Sequence, residues 1–339
     1  MRCIWGFVAL LFAVTTNVQA ENAAPTAPVP TYANIAYAPA DPVGSKGHLL
    51  DLYLPAPTSG TLRPVAIWTG GSAWMADTGK ESAGWLVAQL NRAGYAVAGV
   101  SIRSSSQVKF PGQLYDIKAA IRWIRLNAVH YGLDGNRIAI IGDSSGGWTA
   151  AMAAVTGDVP ALEGNICVTG VSSAVQAAIA FYPPSDFTAM DHWTVRPCVP
   201  NDPQNGCHDD ANSPESLLIG CPIQTCPDKV HLADPARYVS DRDPPILIFH
   251  GDSDDSVPHE QGAWLYQALN RSCHDAVFVD LPTADHGPAL AFLTDERLSA
   301  GATIRSTSSA GCKIAMPKPY HPSFDTIVDF LNTHLKPRG

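Results

Sequence analysis

Charged residues are scarce in this chain of 339 residues, making up 16% of it, whereas hydrophobic residues make up 46%. This balance is typical of a compact globular protein and excludes a largely disordered or coiled-coil architecture. The net charge of −9 is spread over the chain without long runs of one sign. No basic patch is therefore available for nucleic acid or an anionic membrane surface, and we expect a small or polymeric substrate instead.

Long hydrophobic runs are also missing. The longest apolar run, residues 4–14, falls short of the roughly 20 residues that span a membrane. It follows Arg2 and precedes a polar stretch that ends at Ala20, which predicts a signal peptide over residues 1–20, with a retained membrane helix as the alternative. The proline-rich residues 21–42 predict an extended leader. Residues 43–339 are long enough for one catalytic domain, and we expect them to form a single domain.

The cysteines lack the paired C-x₂-C and nearby histidine spacing of zinc sites, so we expect no metal. In an exported chain, disulfides are the ordinary use of the seven cysteines that follow Cys3. The pairs that we favour are Cys198–Cys207, Cys221–Cys226 and Cys273–Cys312, which leaves Cys167 free. Sequence alone does not fix this connectivity, so other pairings stay open.

Strand-like and helix-like patterns alternate along the chain. Apolar β-type runs occur at 48–54, 64–69, 95–102, 137–142, 177–181, 245–250 and 276–281, and helical patterns at 82–93, 113–131, 146–155, 259–271 and 323–335. This alternation predicts an α/β fold, in which a mostly parallel central sheet carries helices on both faces. The run 138–141 is apolar at every position, which is typical of a central strand buried on both faces.

Two further segments carry specific expectations. In the helix 113–131, apolar residues recur every three or four positions, which places Lys118, Arg122 and Arg125 on the outward side. Residues 188–236 interrupt the alternation and are rich in proline, acidic residues and cysteine. A segment of this length predicts a functional insertion in the domain, and it has too few apolar residues for a core of its own.

The strongest chemical signal is Gly142-Asp143-Ser144-Ser145-Gly146, between the strand 137–142 and the helix 146–155. A serine hydroxyl needs a tight strand-to-helix turn that presents it and a base that takes its proton. The bare G-x-S-x-G pattern also occurs by chance. Its strand–turn–helix setting makes Ser144 the candidate nucleophile.

An acid and a histidine follow in the order that such a serine requires. The strand 245–250 leads into an acidic turn where Asp254 is the preferred acid and Asp255 and Asp252 are the alternatives, since aspartates also cap turns. His286 follows the strand 276–281 in a glycine- and proline-containing loop, and we predict that it is the base.

An oxyanion that forms during acyl transfer needs preorganised amide donors. We expect one from Ser145, the residue after the nucleophile, and another from the turn after the strand 64–69. That turn reads Gly70-Gly71-Ser72-Ala73-Trp74, in which we favour Ser72, supported by Gly71 or Ala73. An ordinary glycine turn is the alternative.

Together, Gly71-Ser72-Ala73-Trp74, the segment 110–123, Gly142–Gly147 and the segment 250–258 resemble the hormone-sensitive-lipase-like esterases of the α/β-hydrolase superfamily. The resemblance covers about residues 45–335 and is strongest to the branch with bacterial feruloyl and acetylxylan esterases. It implies triad roles for Ser144, Asp254 and His286. One departure is Gly70, which stands where such esterases usually have a histidine, so the side-chain support of the oxyanion loop is expected to be lost.

The resemblance implies hydrolysis of short-chain or aromatic carboxylic esters, small or linked to a polysaccharide, through an acyl-enzyme and without a cofactor. A peptidase of the same fold would use the same three residues. A lipase for long acyl chains would call for a marked apolar lid, whereas residues 188–236 are polar.

Overall fold

The computed structural model of the chain describes residues 28–56, 61–202 and 205–336. Residues 1–20, which carry the signal-peptide prediction, lie outside these ranges. Within them, ten strands form one sheet: β1 (Tyr32–Ala36), β2 (Leu49–Tyr53), β3 (Arg63–Thr69), β4 (Ala96–Val100), β5 (Leu133–Asp143), β6 (Ala177–Phe181), β7 (Ile246–Gly251), β8 (Ala276–Leu281), β9 (Thr303–Ser308) and β10 (Lys313–Pro319).

The strand order across the sheet is β1-β2-β4-β3-β5-β6-β7-β8-β9-β10. The six strands from β4 to β8 in this order run parallel, whereas the two strands at each edge pair antiparallel. Because β5, β7 and β8 share one direction, the loops that follow them meet at the same edge of the sheet. Ligand sites of open α/β sheets form outside this carboxyl edge.

In the described part of the chain, eight α-helices accompany the sheet: α1 (Gly84–Arg92), α2 (Gly112–Asn127), α3 (Ser145–Val155), α4 (Met190–Trp193), α5 (Pro214–Ile219), α6 (Pro227–His231), α7 (His259–Arg271) and α8 (Phe324–Leu335). The side chains of Ile138 and Ile140 on β5 join the core with α2, α3 and α7. Those of Ala139 and Ile141 join the opposite core with α1 and α8. Two buried faces explain why this strand is apolar at every position, and the predicted α/β fold class is confirmed.

All seven predicted strands are present as β2 to β8, and the five predicted helices as α1, α2, α3, α7 and α8. Two of these helices continue in 3₁₀ turns, Gly79–Ala83 before α1 and Val129–Tyr131 near the end of α2. Three strands were not predicted. β1 lies within the segment that the sequence indicates as a leader, and β9 and β10 lack continuous apolar runs.

The expected outward position of Lys118 and Arg122 on α2 is wrong. Both side chains are buried, with 0% and 2% of their surface exposed. The Arg122 guanidinium lies 2.6 Å from a Glu163 carboxylate oxygen, and Lys118 Nζ donates to the Thr156 carbonyl at 2.6 Å. Burial is possible because each cation finds acceptors outside the helix, which a helical periodicity does not reveal.

The three predicted disulfides, Cys198–Cys207, Cys221–Cys226 and Cys273–Cys312, are all present, and Cys167 is an exposed free cysteine. The first two close short loops inside the insertion 188–236, whose helices α4, α5 and α6 add side chains to the main core. In the part of the chain that the structure describes, no helix has the length and apolar character needed to cross a bilayer.

Candidate active site

Ser144 lies in a sharp turn between β5 and α3, with φ 54° and ψ −126°. This left-handed backbone costs a non-glycine residue on the order of 1–3 kcal/mol, so the surrounding structure must hold it. A Cβ added at Gly142 would lie 2.2 Å from the Gly146 carbonyl oxygen, and one at Gly146 would lie 2.1 Å from that of Thr69. The glycines of the motif are therefore required by the close approach of strand and helix.

The turn after β7 holds Asp254 with its side chain fully buried. Its Oδ1 accepts hydrogen bonds from the backbone amides of Ser256 at 3.0 Å and Val257 at 2.8 Å. The two alternative acids point elsewhere: Asp255 pairs with Arg196 at 2.6 Å, and the exposed Asp252 lies 3.2 Å from a histidine of α7.

His286, in the loop after β8, joins the other two residues. Its Nδ1 lies 2.8 Å from Asp254 Oδ2, and its Nε2 lies 3.0 Å from Ser144 Oγ. Burial alone would raise the pKa of Asp254, but the hydrogen bond and charge of His286 outweigh it and lower that pKa. The three side chains thus form a continuous hydrogen-bonded series with an ionised carboxylate at its buried end.

Two aromatic groups border this series. The Tyr182 ring lies 4.6 Å from the His286 ring, centroid to centroid, and its hydroxyl bonds to the Asp143 carboxylate. His250 is fully buried at the end of β7, where its Nε2 lies 2.9 Å from the Val257 carbonyl oxygen. This contact is structural, and burial lowers the pKa of His250 to about 4.

The amides predicted as oxyanion donors lie beside the turn, but two of them are already engaged. The Gly71 amide donates to Asp143 Oδ1 at 2.8 Å, and the Ser72 amide donates to Ser145 Oγ at 2.9 Å. Burial raises the pKa of Asp143, although the Gly71 amide favours its ionised form. Any oxyanion bound here must therefore share or replace these two acceptors.

The close neighbours of Gly70 explain why the usual histidine is absent at this position. A Cβ at this position would lie 2.1 Å from Ser82 Oγ and 3.0 Å from the Gly79 carbonyl oxygen. The Gly70 amide donates to that carbonyl at 3.1 Å, and Ser82 Oγ accepts from Trp68 Nε1 at 2.9 Å. The histidine side chain is absent here as expected, and the backbone pairing of Gly70 with Gly79 holds the start of the loop instead.

A cleft of about 590 Å³ opens above Ser144 and His286. One wall comes from the insertion, which contributes Asn205, Gly206, His208, Pro214 and Glu215. Sequence reasoning identified the insertion but none of these cleft residues. The one available signal was the position of His208 directly after a disulfide cysteine.

Two groups of described side chains bring ligand-type atoms close together: Asp191 with Cys198 and Cys207, and Asp252 with His259 and Asp280. The first includes both cysteines of a disulfide. In the second, the His259 ring and the Arg305 guanidinium already share the Asp280 carboxylate. Neither contains Ser144, Asp254 or His286.

A mostly parallel sheet with a serine turn after a central strand, and an acid and a histidine on the loops that follow two later strands, defines an α/β hydrolase. The BD-FAE family model matches residues 50–269. The chain belongs to this family of hormone-sensitive-lipase-like α/β hydrolases, which confirms the resemblance seen in the sequence.

Among solved structures, the chain is 30% identical to a truncated carbohydrate esterase from gut microbiota, with a TM-score of 0.73 over 90% of this chain and 96% of that one. It is 34% identical to a bifunctional GH43-CE protein of Bacteroides eggerthii, with a TM-score of 0.67 over 76% of this chain and 35% of that one.

Among curated proteins, the chain is 28% identical to esterase LipQ of Mycobacterium tuberculosis over 263 residues, which are 76% of this chain and 58% of the relative. It is 27% identical to an isoprenylcysteine alpha-carbonyl methylesterase of Arabidopsis thaliana, over 65% of this chain and 49% of the relative. The chain therefore spans about half the length of the curated relatives that it matches.

Proposed function

We propose that this chain is a serine carboxylesterase that hydrolyses short-chain or aromatic esters through an acyl-enzyme on Ser144. The observation that carries the proposal is the 3.0 Å contact between His286 Nε2 and Ser144 Oγ, with Asp254 behind the histidine. The family and the relatives named as esterases support the ester specificity.

In the proposed reaction, His286 Nε2 accepts the proton of Ser144 as the hydroxyl oxygen attacks the ester carbonyl. Asp254 accepts a hydrogen bond from the protonated Nδ1, which keeps Nε2 free as the base and stabilises the imidazolium that forms. The imidazolium then protonates the departing alcohol, and a water activated in the same way releases the acid.

The negative oxygen of the intermediate is assigned to the amides of Ser145, Ser72 and Gly71. The Ser72 and Gly71 amides already point at acceptors on the turn, Ser145 Oγ and Asp143 Oδ1. A full oxyanion is a stronger acceptor than a hydroxyl, so it competes well for the Ser72 amide.

The preference for small or aromatic acyl groups rests on the polar wall that the insertion gives the cleft. An extended apolar lid, which long acyl chains would call for, is replaced there by histidine, asparagine and glutamate side chains. We also propose that the protein is exported, because three disulfides are stable in an oxidising compartment.

The test is a panel of 4-nitrophenyl acetate, butyrate and octanoate, a feruloyl ester and a peptide amide. We expect activity on the acetate, butyrate or feruloyl ester, and its fall to background in Ser144→Ala. Ser272→Ala, at an exposed serine, is the matched control. Activity retained in Ser144→Ala would refute the nucleophile, and faster cleavage of the peptide amide or the octanoate would refute the substrate class.

A further inference from the structure

The insertion places a buried charged pair in the wall of the cleft that contains Ser144. His208 Nδ1 lies 3.1 Å from Glu215 Oε2, and both residues line the cleft together with Ser144 and His286. Only 5% of the Glu215 side chain and 16% of the His208 side chain are exposed. None of the steps proposed for ester hydrolysis uses either residue.

The Glu215 carboxylate is incompletely satisfied. Its buried Oε2 has one described partner, His208 Nδ1 at 3.1 Å, although a carboxylate oxygen can accept two hydrogen bonds. Burial lowers the pKa of His208, but the carboxylates of Glu215, Asp191 and Asp209 outweigh it and raise that pKa. Removing a carboxylate from water is costly unless its oxygens find donors, and His208 is the one described side chain that pairs with Glu215.

The pair is held in place by its surroundings rather than by chance side-chain positions. The Cys198–Cys207 disulfide ends one residue before His208, whose backbone amide donates to Asp191 Oδ1 at 2.7 Å. Glu215 lies in the first turn of α5, where Ser213 Oγ accepts a hydrogen bond from the Ser216 amide at 3.0 Å. Side chains that are already held in place lose less conformational entropy when a ligand binds.

We propose that Glu215 and His208 form a subsite that binds the hydroxyl groups of a neutral, polyhydroxylated alcohol portion of the ester. The Glu215 carboxylate accepts a hydrogen bond from one hydroxyl through the oxygen that does not face His208, and the His208 imidazole donates through its Nε2 to the oxygen of a neighbouring hydroxyl. This inference rests on the proposed esterase function, because it assigns the leaving alcohol of that reaction.

The charges of the cleft favour a neutral alcohol over an acidic one. Asp143, Glu215 and Asp255 line the cleft, and although His208 and Arg196 pair with the last two, none of its described lining residues is lysine or arginine. A carboxylate on the alcohol would face like charges at short range, which disfavours it.

The test compares kcat/KM for an acetylated xylo-oligosaccharide, glycerol monoacetate and 4-nitrophenyl acetate, of which the last has no hydroxyl. In Glu215→Gln, we expect the ratio of kcat/KM for the sugar acetate to that for the aryl acetate to fall roughly tenfold, as loss of a charge-assisted hydrogen bond implies. A larger fall for glycerol monoacetate than for the sugar would identify a small polyol as the ligand. Unchanged ratios for both would overturn the subsite.

Asp228→Asn supplies the matched control, since this exposed carboxylate lies on the same insertion away from the cleft. Its ratios should stay at the wild-type value, and an equal fall there would overturn the assignment to Glu215. Binding of the acetylated xylo-oligosaccharide to the Ser144→Ala protein, measured by calorimetry, gives a readout without turnover. Glu215→Gln should weaken that binding about tenfold, and unchanged affinity would count against the subsite.

If Glu215→Gln fails to fold, both measurements are repeated with His208→Gln. The outcomes separate the two proposals. A wild-type protein that leaves every ester intact refutes the esterase function. One that cleaves 4-nitrophenyl acetate but shows the same ratios with and without the Glu215 carboxylate refutes the subsite alone.

Discussion

Acidification should destabilise this protein through His250, at pH values where most carboxylates are still ionised. The ring is fully buried, and its Nε2 donates to the Val257 carbonyl at 2.9 Å. Burial lowers the pKa of His250 from the ordinary 6.5 to about 4, although the Asp254 carboxylate, 3.6 Å away, favours the charged form. The neighbouring His259 opposes that charge.

The direction follows from proton binding. Because the pKa of His250 is lower in the folded protein than in the unfolded chain, the unfolded chain binds the proton first as the pH falls. The stabilisation by neutral His250 is thus present above pH 6.5 and is lost progressively toward pH 4. A difference of about 2.5 pKa units corresponds to about 3 kcal/mol in full, most of it lost by pH 4.5.

The assay is equilibrium unfolding in urea between pH 7.5 and 4.5, followed by tryptophan fluorescence with the disulfides intact. His250→Asn cannot gain a proton, so its free energy of unfolding should be lower at pH 7.5 but fall by about 2.5 kcal/mol less than that of the wild type. Subtracting the variant's free energy of unfolding from that of the wild type at each pH removes the contributions of the other titrating groups. Parallel curves for the two proteins would refute the assignment.

Three other perturbations test the site. Asp254→Asn should lower kcat on 4-nitrophenyl acetate by a factor on the order of 10⁴ and Asp255→Asn by less than about threefold, and equal losses would contradict the choice of acid. Gly70→Ala should lower the thermal midpoint, because its Cβ would meet Ser82 Oγ, and an unchanged midpoint would show that the loop can move aside. Tyr182→Phe removes the hydroxyl bound to the carboxylate of the serine turn, so kcat should fall a few-fold while the melting curve changes little; full activity would make the hydroxyl dispensable.

The parallel strands and their helices could be predicted because their signals are local. A strand such as β5 is buried on both faces, so its apolar run is continuous, and the helices packed on it repeat apolar residues every three or four positions. The serine turn was equally local, since strand, glycines and helix are consecutive in the chain.

The edge strands could not be predicted, because their sequences carry no apolar run. Every residue of β10 is exposed, and β9 is only partly covered. Such strands exist through pairing with a neighbour already in place, here β8 for β9 and β9 for β10. β1 depends in the same way on its antiparallel pairing with β2.

The chemistry of the cleft wall escaped prediction for a related reason. His208 and Glu215 meet through a disulfide loop and a short helix, and nothing in their spacing marks them as partners. Lys118 is a parallel case in the core, because its acceptors lie on a segment beyond the end of α3. A helical pattern describes one helix, whereas the environment of a cation is set by whatever packs against it.

In the oxyanion loop, the structure adds hydrogen bonds that the sequence does not predict. Gly71 and Ser72 lie beside the serine turn, and only the structure reveals that their amides donate to the Asp143 and Ser145 side chains. These acceptors orient the donors before substrate arrives, which is the preorganisation that oxyanion stabilisation requires. The two acceptors differ in strength. The Asp143 carboxylate competes strongly with an oxyanion for the Gly71 amide, whereas the Ser145 hydroxyl competes only weakly for the Ser72 amide. The Ser72 amide is therefore the donor that substrate can recruit at lower cost, which favours it over Gly71.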